Sequence, residues 1–457
     1  MITNNTIYPQ KINGFYRIVK DLVLYGLLFI YFATPWLRWS RGENYPNQAI
    51  IIDLPNRRGY FFNIEIWPDE VYYITGALIL AALGLFIFTA IFGRIWCGYT
   101  CPHTVFVEIF IKIESFFQGD RNERMRLDAA PFTIEKFVKK TLTHFCWLLV
   151  GFAFAVGWVS YFYDAPSLWR DLFQSNLSDK ALPWLWGLTF STYILGGFAR
   201  QRVCIYMCPY GRFQSAMLDN DSSVVTYHSW RGEPRGKNAG SGDCIDCYKC
   251  VVVCPMGIDI RDGLQMACIG CGLCIDACNS VMAKISKPLG LIAYDSINST
   301  EAKKNGLKAK SNVFRAKTMV FGLVFIAVAS FMLNNLLNKP ELVINSSHGR
   351  GALFTLMSSG EIRNSYEVKI ANRTMDVKRL LLKIANLQQA KLKIQNMMID
   401  YADDLQLILE PGAEWQSTLF IQAPILDQKT NQQKIIFDLT DINKNKNYST
   451  AAIFVFK

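Results

Sequence analysis

Eight of the thirteen cysteines in this chain fall between Cys244 and Cys278, in two copies of one spacing. The first reads Cys244-x2-Cys247-x2-Cys250-x3-Cys254-Pro255, the second Cys268-x2-Cys271-x2-Cys274-x3-Cys278. A segment of about forty residues has too little apolar surface to build a core of its own, so whatever the cysteines hold must serve as that core. Disulfides would need an oxidising compartment. Zinc prefers paired CxxC units separated by a longer loop, not a triplet followed by a three-residue gap. Thiolates at these intervals hold [4Fe–4S] clusters, which move single electrons.

The spacing is similar to that of bacterial two-cluster ferredoxins, in which the fourth cysteine of each run ligates the other cluster. On that pattern Cys244, Cys247, Cys250 and Cys278 hold one cluster, and Cys268, Cys271, Cys274 and Cys254 hold the second. Pro255 follows the first run, whereas Asn279 follows the second; proline there only shapes the turn and ligates nothing.

Five other stretches are apolar over roughly the 20 residues that cross a bilayer. They are Leu22–Trp39, Tyr72–Ile95, Leu142–Tyr163, Leu182–Ala199 and Met319–Leu337, in a chain that is 51% hydrophobic. Trp36, Trp39, Trp147, Trp158, Trp184 and Trp186 lie near their ends or upper turns, where interfacial aromatics gather. The first stretch is too long for a cleaved signal peptide, and Thr34-Pro35-Trp36-Leu37-Arg38 is the wrong flank for cleavage.

Lysine and arginine mark the cytoplasmic loops. Lys11, Arg17 and Lys20 lead into the first stretch, and Lys112, Arg121, Arg124, Arg126, Lys136, Lys139 and Lys140 follow the second. Lys303, Lys304, Lys308, Lys310, Arg315 and Lys317 precede the fifth. Between the third and fourth stand only Arg170 and Lys180, while Arg41, Arg57 and Arg58 run against the pattern. Five spans then put the amino terminus inside, the cysteine octet in the reducing cytoplasm and the carboxy terminus outside, where residues 338–457 contain no cysteine. The net charge of +11 hugs membrane edges, which argues against a nucleic-acid partner.

Two further cysteine pairs close the second and fourth stretches: Cys97-Gly98-Tyr99-Thr100-Cys101-Pro102 and Cys204-Ile205-Tyr206-Met207-Cys208-Pro209. Each is CxxxCP with arginine ahead of it (Arg94; Arg200 and Arg202), so the two hairpins of spans form a weak internal repeat. Cysteines at i and i+4 share a helical face, which predicts a soft-metal or redox site of up to four thiolates. Such ligands favour Cu(I), and His103 and Met207 stand beside them. Phe106–Glu114 has helical apolar spacing and is expected to lie along the membrane surface. Cys146 reads as packing, and His144, His228 and His348 as structural or surface residues without partner spacing. No histidine pair is placed for a b-type haem, and no C-x-x-C-H binds haem covalently.

Beyond residue 338 the pattern alternates. Ser365–Ile370, Leu405–Leu409 and Ala452–Phe456 read as strands, separated by turn residues at Asn372, Pro411-Gly412 and Asn443–Asn447. An antiparallel β-sandwich follows, immunoglobulin-like in architecture only, without a catalytic cluster. The expected organisation is a membrane domain over 1–217, a linker over 218–239, the ferredoxin-type domain over 240–285, a linker over 286–316, a last span over 317–337 and the sandwich over 338–457.

This order, with the Gly93-Arg94-Ile95-Trp96-Cys97-Gly98-Tyr99-Thr100-Cys101-Pro102 motif, resembles cytochrome c oxidase accessory proteins of the FixG/CcoG/RdxA type over nearly the whole chain. The resemblance implies a protein of the bacterial inner membrane that reduces Cu(II) to Cu(I) for assembly of cbb3-type cytochrome c oxidase. It implies oxidase assembly factors or copper chaperones as partners, an unidentified cytoplasmic electron donor, and leaves a homo-oligomer open. Cys244, Cys247, Cys250, Cys254, Cys268, Cys271, Cys274 and Cys278 become cluster ligands, and Cys97, Cys101, Cys204 and Cys208 the membrane-edge redox residues. The family usually has glutamine where this chain has His103, which leaves the part played by His103, including copper ligation, open. Two other readings stand beside this one: a quinol-linked electron-transfer subunit of the NapH type, and a non-enzymatic assembly scaffold.

Overall fold

The structure, a computed structural model, describes residues 6–42, 45–238, 240–308, 314–374, 376–395, 402–424 and 431–456. Lys310 of the charge pattern, residue 239 of the first linker and residues 309–313 of the second lie outside the described residues. Contacts divide the chain into Met1–Trp39 with Pro46–Met332, and Ser40–Tyr45 with Leu333–Lys457.

In the first unit the apolar stretches are helices turned inside out relative to a water-soluble core. Phe15–Ala33 exposes Phe15, Ile18, Leu22, Tyr25, Phe29 and Ile30, and buries Lys20 and Leu24. In a bilayer this is the stable arrangement, because lipid solvates the apolar face and the charge needs a partner inside. Glu108 supplies it, bonding Lys20 Nζ at 2.6 Å and Arg17 Nη1 at 2.5 Å. Among the described residues, four helices are long and apolar enough to cross a membrane: Phe15–Trp36, Pro68–Phe92, Ile134–Val159 and Ala316–Leu337. The remaining stretch is a 14-residue helix, Ala181–Ile194, prolonged by a five-residue π-helical turn, Leu195–Ala199. The turn lets Gly196 and Gly197 approach the rings of Phe110 and Trp147, where an added Cβ would stand 3.1 and 2.9 Å from ring carbons.

Glu108 belongs to the helix Pro102–Phe117, which was expected on the membrane surface. One side of it packs into the protein. Phe110 is fully buried and stacks on Trp147, and Glu114 pairs with Arg124 and Arg200. Its apolar spacing faces protein on that side because its acids are neutralised by neighbouring segments. Burial raises the Glu108 carboxyl, but the Lys20 and Arg17 charges outweigh it and hold it at about 2. That stabilisation is complete above the ordinary carboxylate range and fades as pH falls towards 2. Glu108→Gln takes the carboxylate from buried Lys20 and leaves half-buried Arg17 with Asp21 alone, and is expected to cost about 3–5 kcal/mol. The half-life of the detergent-solubilised protein at fixed temperature reads this, and an unchanged half-life refutes it.

The expected linkers are built structure. Val224–Tyr227 and Ile292–Asp295 pair antiparallel, Val224 opposite Asp295 and Tyr227 opposite Ile292. The chain therefore enters and leaves the cysteine octet through one two-stranded clasp. His228 locks it, Nδ1 to the Gly290 carbonyl at 3.1 Å and Nε2 to Asp295 at 3.2 Å. The glycine-rich run is packed too: a Cβ on Gly242 would stand 2.6 Å from the Gly232 carbonyl carbon. Past the clasp, Ile297–Lys304 forms a helix capped by Ser296, which accepts from the Ser299 amide at 3.1 Å.

The second unit is a sandwich of two antiparallel sheets. One is ordered Lys391–Ile394, Glu414–Pro424, Glu361–Asn372, Leu342–His348, with Thr355–Leu356 on Glu361–Asn372; the other runs Asp404–Leu409, Lys378–Ala385, Gln432–Asp441, Lys446–Val455. Strict alternation along Glu361–Asn372 sends Tyr366, Val368 and Ile370 inward against Leu382, Ile435 and Phe437. One buried cation interrupts the apolar layer. Lys378 bonds Asp441 and Glu341, each at 2.9 Å.

Candidate iron–sulfur centres and an adjoining thiol quartet

The octet segment folds by turns that need unusual backbone. Asp246 and Tyr248 take positive φ, 55° each, and Gly270 and Gly272 take 63° and 71°. These bends curl each triplet around a space, and the helix Leu273–Lys284 then contributes to both spaces. Cys244, Cys247, Cys250 and Cys278 line one small cavity. Cys254, Cys268, Cys271 and Cys274 line a second, with Cys250 at its border. Cys274 and Cys278, one helical turn apart, thus serve different cavities.

Charge coupling follows the same division. Cys278 feels Cys250, Cys244 and Cys247, whereas Cys274 feels Cys271, Cys268 and Cys254 most strongly. Burial pushes the Cys250 and Cys254 thiols up to about 11 and those of Cys268 and Cys278 up to about 12. Thiols so disinclined to ionise alone need a cationic core to become ligands. Two separate cavities, each lined by four soft donors, suit [4Fe–4S] cubanes in the chemistry of their ligands. Among the described residues no three His, Cys, Asp or Glu side chains converge on a single metal ion. Thiolates on one tetrahedral ion would stand only about 3.8 Å apart, while a cubane spreads them over its iron corners.

The two centres differ in surroundings. Cys247 is exposed, and Arg261 lines the first cavity, its guanidinium pinned by Asp259 and Asp246 and stacked 4.1 Å from the Tyr248 ring centre. At the second, none of the four cysteines is exposed, and Gly270 N–H donates to Cys268 Sγ at 3.5 Å. Such bonds to sulfur tune cluster potential.

The second cavity abuts the CxxxCP motifs. Cys97 lies in the short helix Ile95–Tyr99; Cys101 is extended and Pro102 opens the next helix. Cys204 lies in a π-helical turn, Val203–Met207; Cys208 is extended and Pro209 opens Pro209–Met217. The expected shared helical face is therefore corrected: each pair straddles a helix break, because proline drives the preceding cysteine out of helical backbone. The two breaks nevertheless place the four thiols within electrostatic reach of one another. Cys97 feels the charges of Cys101 and Cys208, and Cys204 those of Cys101, Cys97 and Cys208. Burial pushes Cys97 to about 11 and Cys204 to about 12. Cys97 and Cys204 pack against the apolar group that contains Cys271, beside Cys254. Tyr99 donates its hydroxyl to the Cys271 carbonyl at 3.0 Å.

His103 Nε2 donates to the Arg200 carbonyl at 2.8 Å, so only Nδ1 is free to accept, and burial lowers its pKa. It lines a small cavity with Cys204. Met207 is exposed, and Cys146 is half-buried in Ile134–Val159. His144 bonds the Tyr193 hydroxyl, and His348 faces Asn364. Sequence reasoning missed Gln214, whose Oε1 accepts from Cys97 Sγ at 3.4 Å. It also missed how Arg94 bridges the layers, reaching the carbonyls of Met266 and Gly211.

Taken together, apolar spanning helices, ferredoxin-type cysteine cavities and a β-rich carboxy-terminal domain define a membrane iron–sulfur electron-transfer protein. Residues 199–297 match the family described as a 4Fe-4S dicluster domain, residues 74–122 a 4Fe-4S binding domain, and residues 332–457 the IG-like fold at the C-terminus of FixG. The chain is 40% identical to nitrogen fixation protein FixG of Rhizobium meliloti over 92% of its own length and 86% of that protein's. It is 43% identical to protein RdxA of Cereibacter sphaeroides, covering 83% and 82% of the two chains. A crystal structure of a FixG-related protein from Vibrio parahaemolyticus aligns at 20% identity and a TM-score of 0.22, over 26% of this chain and 98% of that one. The chain belongs to the FixG/RdxA family.

Proposed function

We propose that this protein is a membrane-bound cupric reductase. It takes electrons on the cytoplasmic side and passes them to Cu(II), and the resulting Cu(I) serves assembly of a cbb3-type cytochrome c oxidase. The observation that carries this reading is the contact between the thiol quartet and the second octet cavity, through Cys97, Cys204, Cys254 and Cys271. When bound, the clusters supply one-electron transfer. Cys244, Cys247, Cys250 and Cys278 hold the centre nearer solvent, where exposed Cys247 offers the docking edge for a donor. Cys254, Cys268, Cys271 and Cys274 hold the centre nearer the quartet.

Each cycle moves one electron. A reduced cytoplasmic donor of the flavoprotein or ferredoxin class loses it, and Cu(II) becomes Cu(I). Five spans, with the octet inside and the sandwich in the periplasm, give this path its direction and leave the sandwich to meet assembly factors or copper chaperones.

Full-length protein purified without oxygen, reduced and mixed with Cu(II), is expected to yield one Cu(I) per electron, trapped by a Cu(I)-specific chelator. Serine at Cys97, Cys101, Cys204 and Cys208 together is expected to abolish the yield while the octet signals persist. An unchanged yield removes the quartet from the path.

A further inference from the structure

The quartet is a second ligand set that two-cluster spacing does not account for. Its two halves are built alike: one sulfur before a helix break, one in the extended residue before proline. The 4Fe-4S binding match over residues 74–122 contains two cysteines, Cys97 and Cys101, whereas a cubane takes four. The missing pair is at hand in Cys204 and Cys208, which share their electrostatic environment.

Gln214 points the same way. Its side chain is fully buried, one end of its amide meets Cys97, and Nε2 has no partner. A buried N–H without an acceptor costs about 1–3 kcal/mol, so its place beside Cys97 calls for an acceptor there, and because a Cys97 thiolate has no proton to give Oε1, the amide turns its N–H to the sulfur once the site is loaded. Cluster sulfide or thiolate is such an acceptor. Arg94 adds a positive charge that acts on both Cys97 and Cys204, which suits an anionic four-thiolate centre.

We propose that Cys97, Cys101, Cys204 and Cys208 hold a third [4Fe–4S] cluster, two ligands from each CxxxCP motif, with Gln214 donating to its sulfur. This rests on the reading of the quartet as the last relay before copper. Copper then meets the protein as a substrate that receives an electron, and not as an ion ligated by these thiolates.

Anaerobic full-length protein is expected to contain about twelve iron atoms and twelve sulfides per chain, four for each of three cubanes. The quadruple serine variant is expected to contain about eight of each, with the octet clusters still visible by electron paramagnetic resonance. Should that variant fail to fold, the wild-type count decides by itself. About eight iron atoms in the wild type, or one tightly bound copper per chain with no third cluster signal, overturns the proposal. Gln214→Leu is expected to keep all the iron and shift one reduction step in a redox titration; unshifted steps remove Gln214 from the site. Cu(I) trapping is read separately. Full iron without copper reduction keeps the cluster and removes the reductase, while eight iron atoms with reduction intact does the reverse.

Discussion

Serine in place of Cys271 is expected to strip at least one cubane from the protein and end electron delivery to the quartet. Cys271 lines the second cavity and is buried in the apolar group that also receives Cys97 and Cys204. A serine hydroxyl is a harder and far less acidic ligand than a thiol. Because ligand binding and folding are one event in so small a unit, the loss reaches beyond the cluster, on the order of the 10 kcal/mol that a structural metal supplies. Three measurements check this: iron per chain falls by about four or more, limited proteolysis cuts faster within 254–285, and Cu(I) production stops. Unchanged iron content would show that Cys271 is not a ligand.

Valine in place of Gly98 is expected to leave the clusters present but disconnect them from the quartet. A Cβ at Gly98 would stand 2.8 Å from the Ile269 carbonyl oxygen and 2.9 Å from the Cys271 Cα. Both obstacles are backbone, so nothing flexible can move aside. On the facing side, a Cβ on Gly270 would meet the Arg94 carbonyl carbon at 3.1 Å. Two glycines thus let the CxxxCP helix and the cluster loop touch backbone to backbone. Overpacking there costs about 1–3 kcal/mol, and the cheapest relief is separation of the two layers. Electron transfer weakens with separation, so iron content holds while turnover falls to a small fraction. Gly98→Ala falls between. Full turnover in the valine variant would mean that electrons leave the octet by another route.

Much of this was legible in the sequence for a physical reason. Cluster ligation is local, and the octet spacing carries within itself the division into two sets that line separate cavities. The alternation along Glu361–Asn372 likewise needs no distant information. The failures come where distant charges cancel. The first helix starts at Phe15, not near Leu22, because Arg17 and Lys20 are neutralised by Glu108, remote in sequence. The same pairing packs one side of Pro102–Phe117 into the protein, where the apolar spacing of Phe106–Glu114 had suggested a helix on the membrane surface. Residues 218–239 and 286–316 looked like linkers since each strand of the clasp is four residues long and pairs across the whole octet. Gln214 had no spacing signal at all; its role emerges only when the two CxxxCP motifs meet.

That clasp has an evolutionary corollary. Because the chain comes in at Val224 and goes out at Asp295 on directly opposed residues, the iron–sulfur portion is a cassette whose ends coincide, the condition under which one domain is readily inserted into another. A membrane electron-transfer protein with such a clasp can acquire or exchange its wiring in a single recombination, leaving the surrounding helices in register.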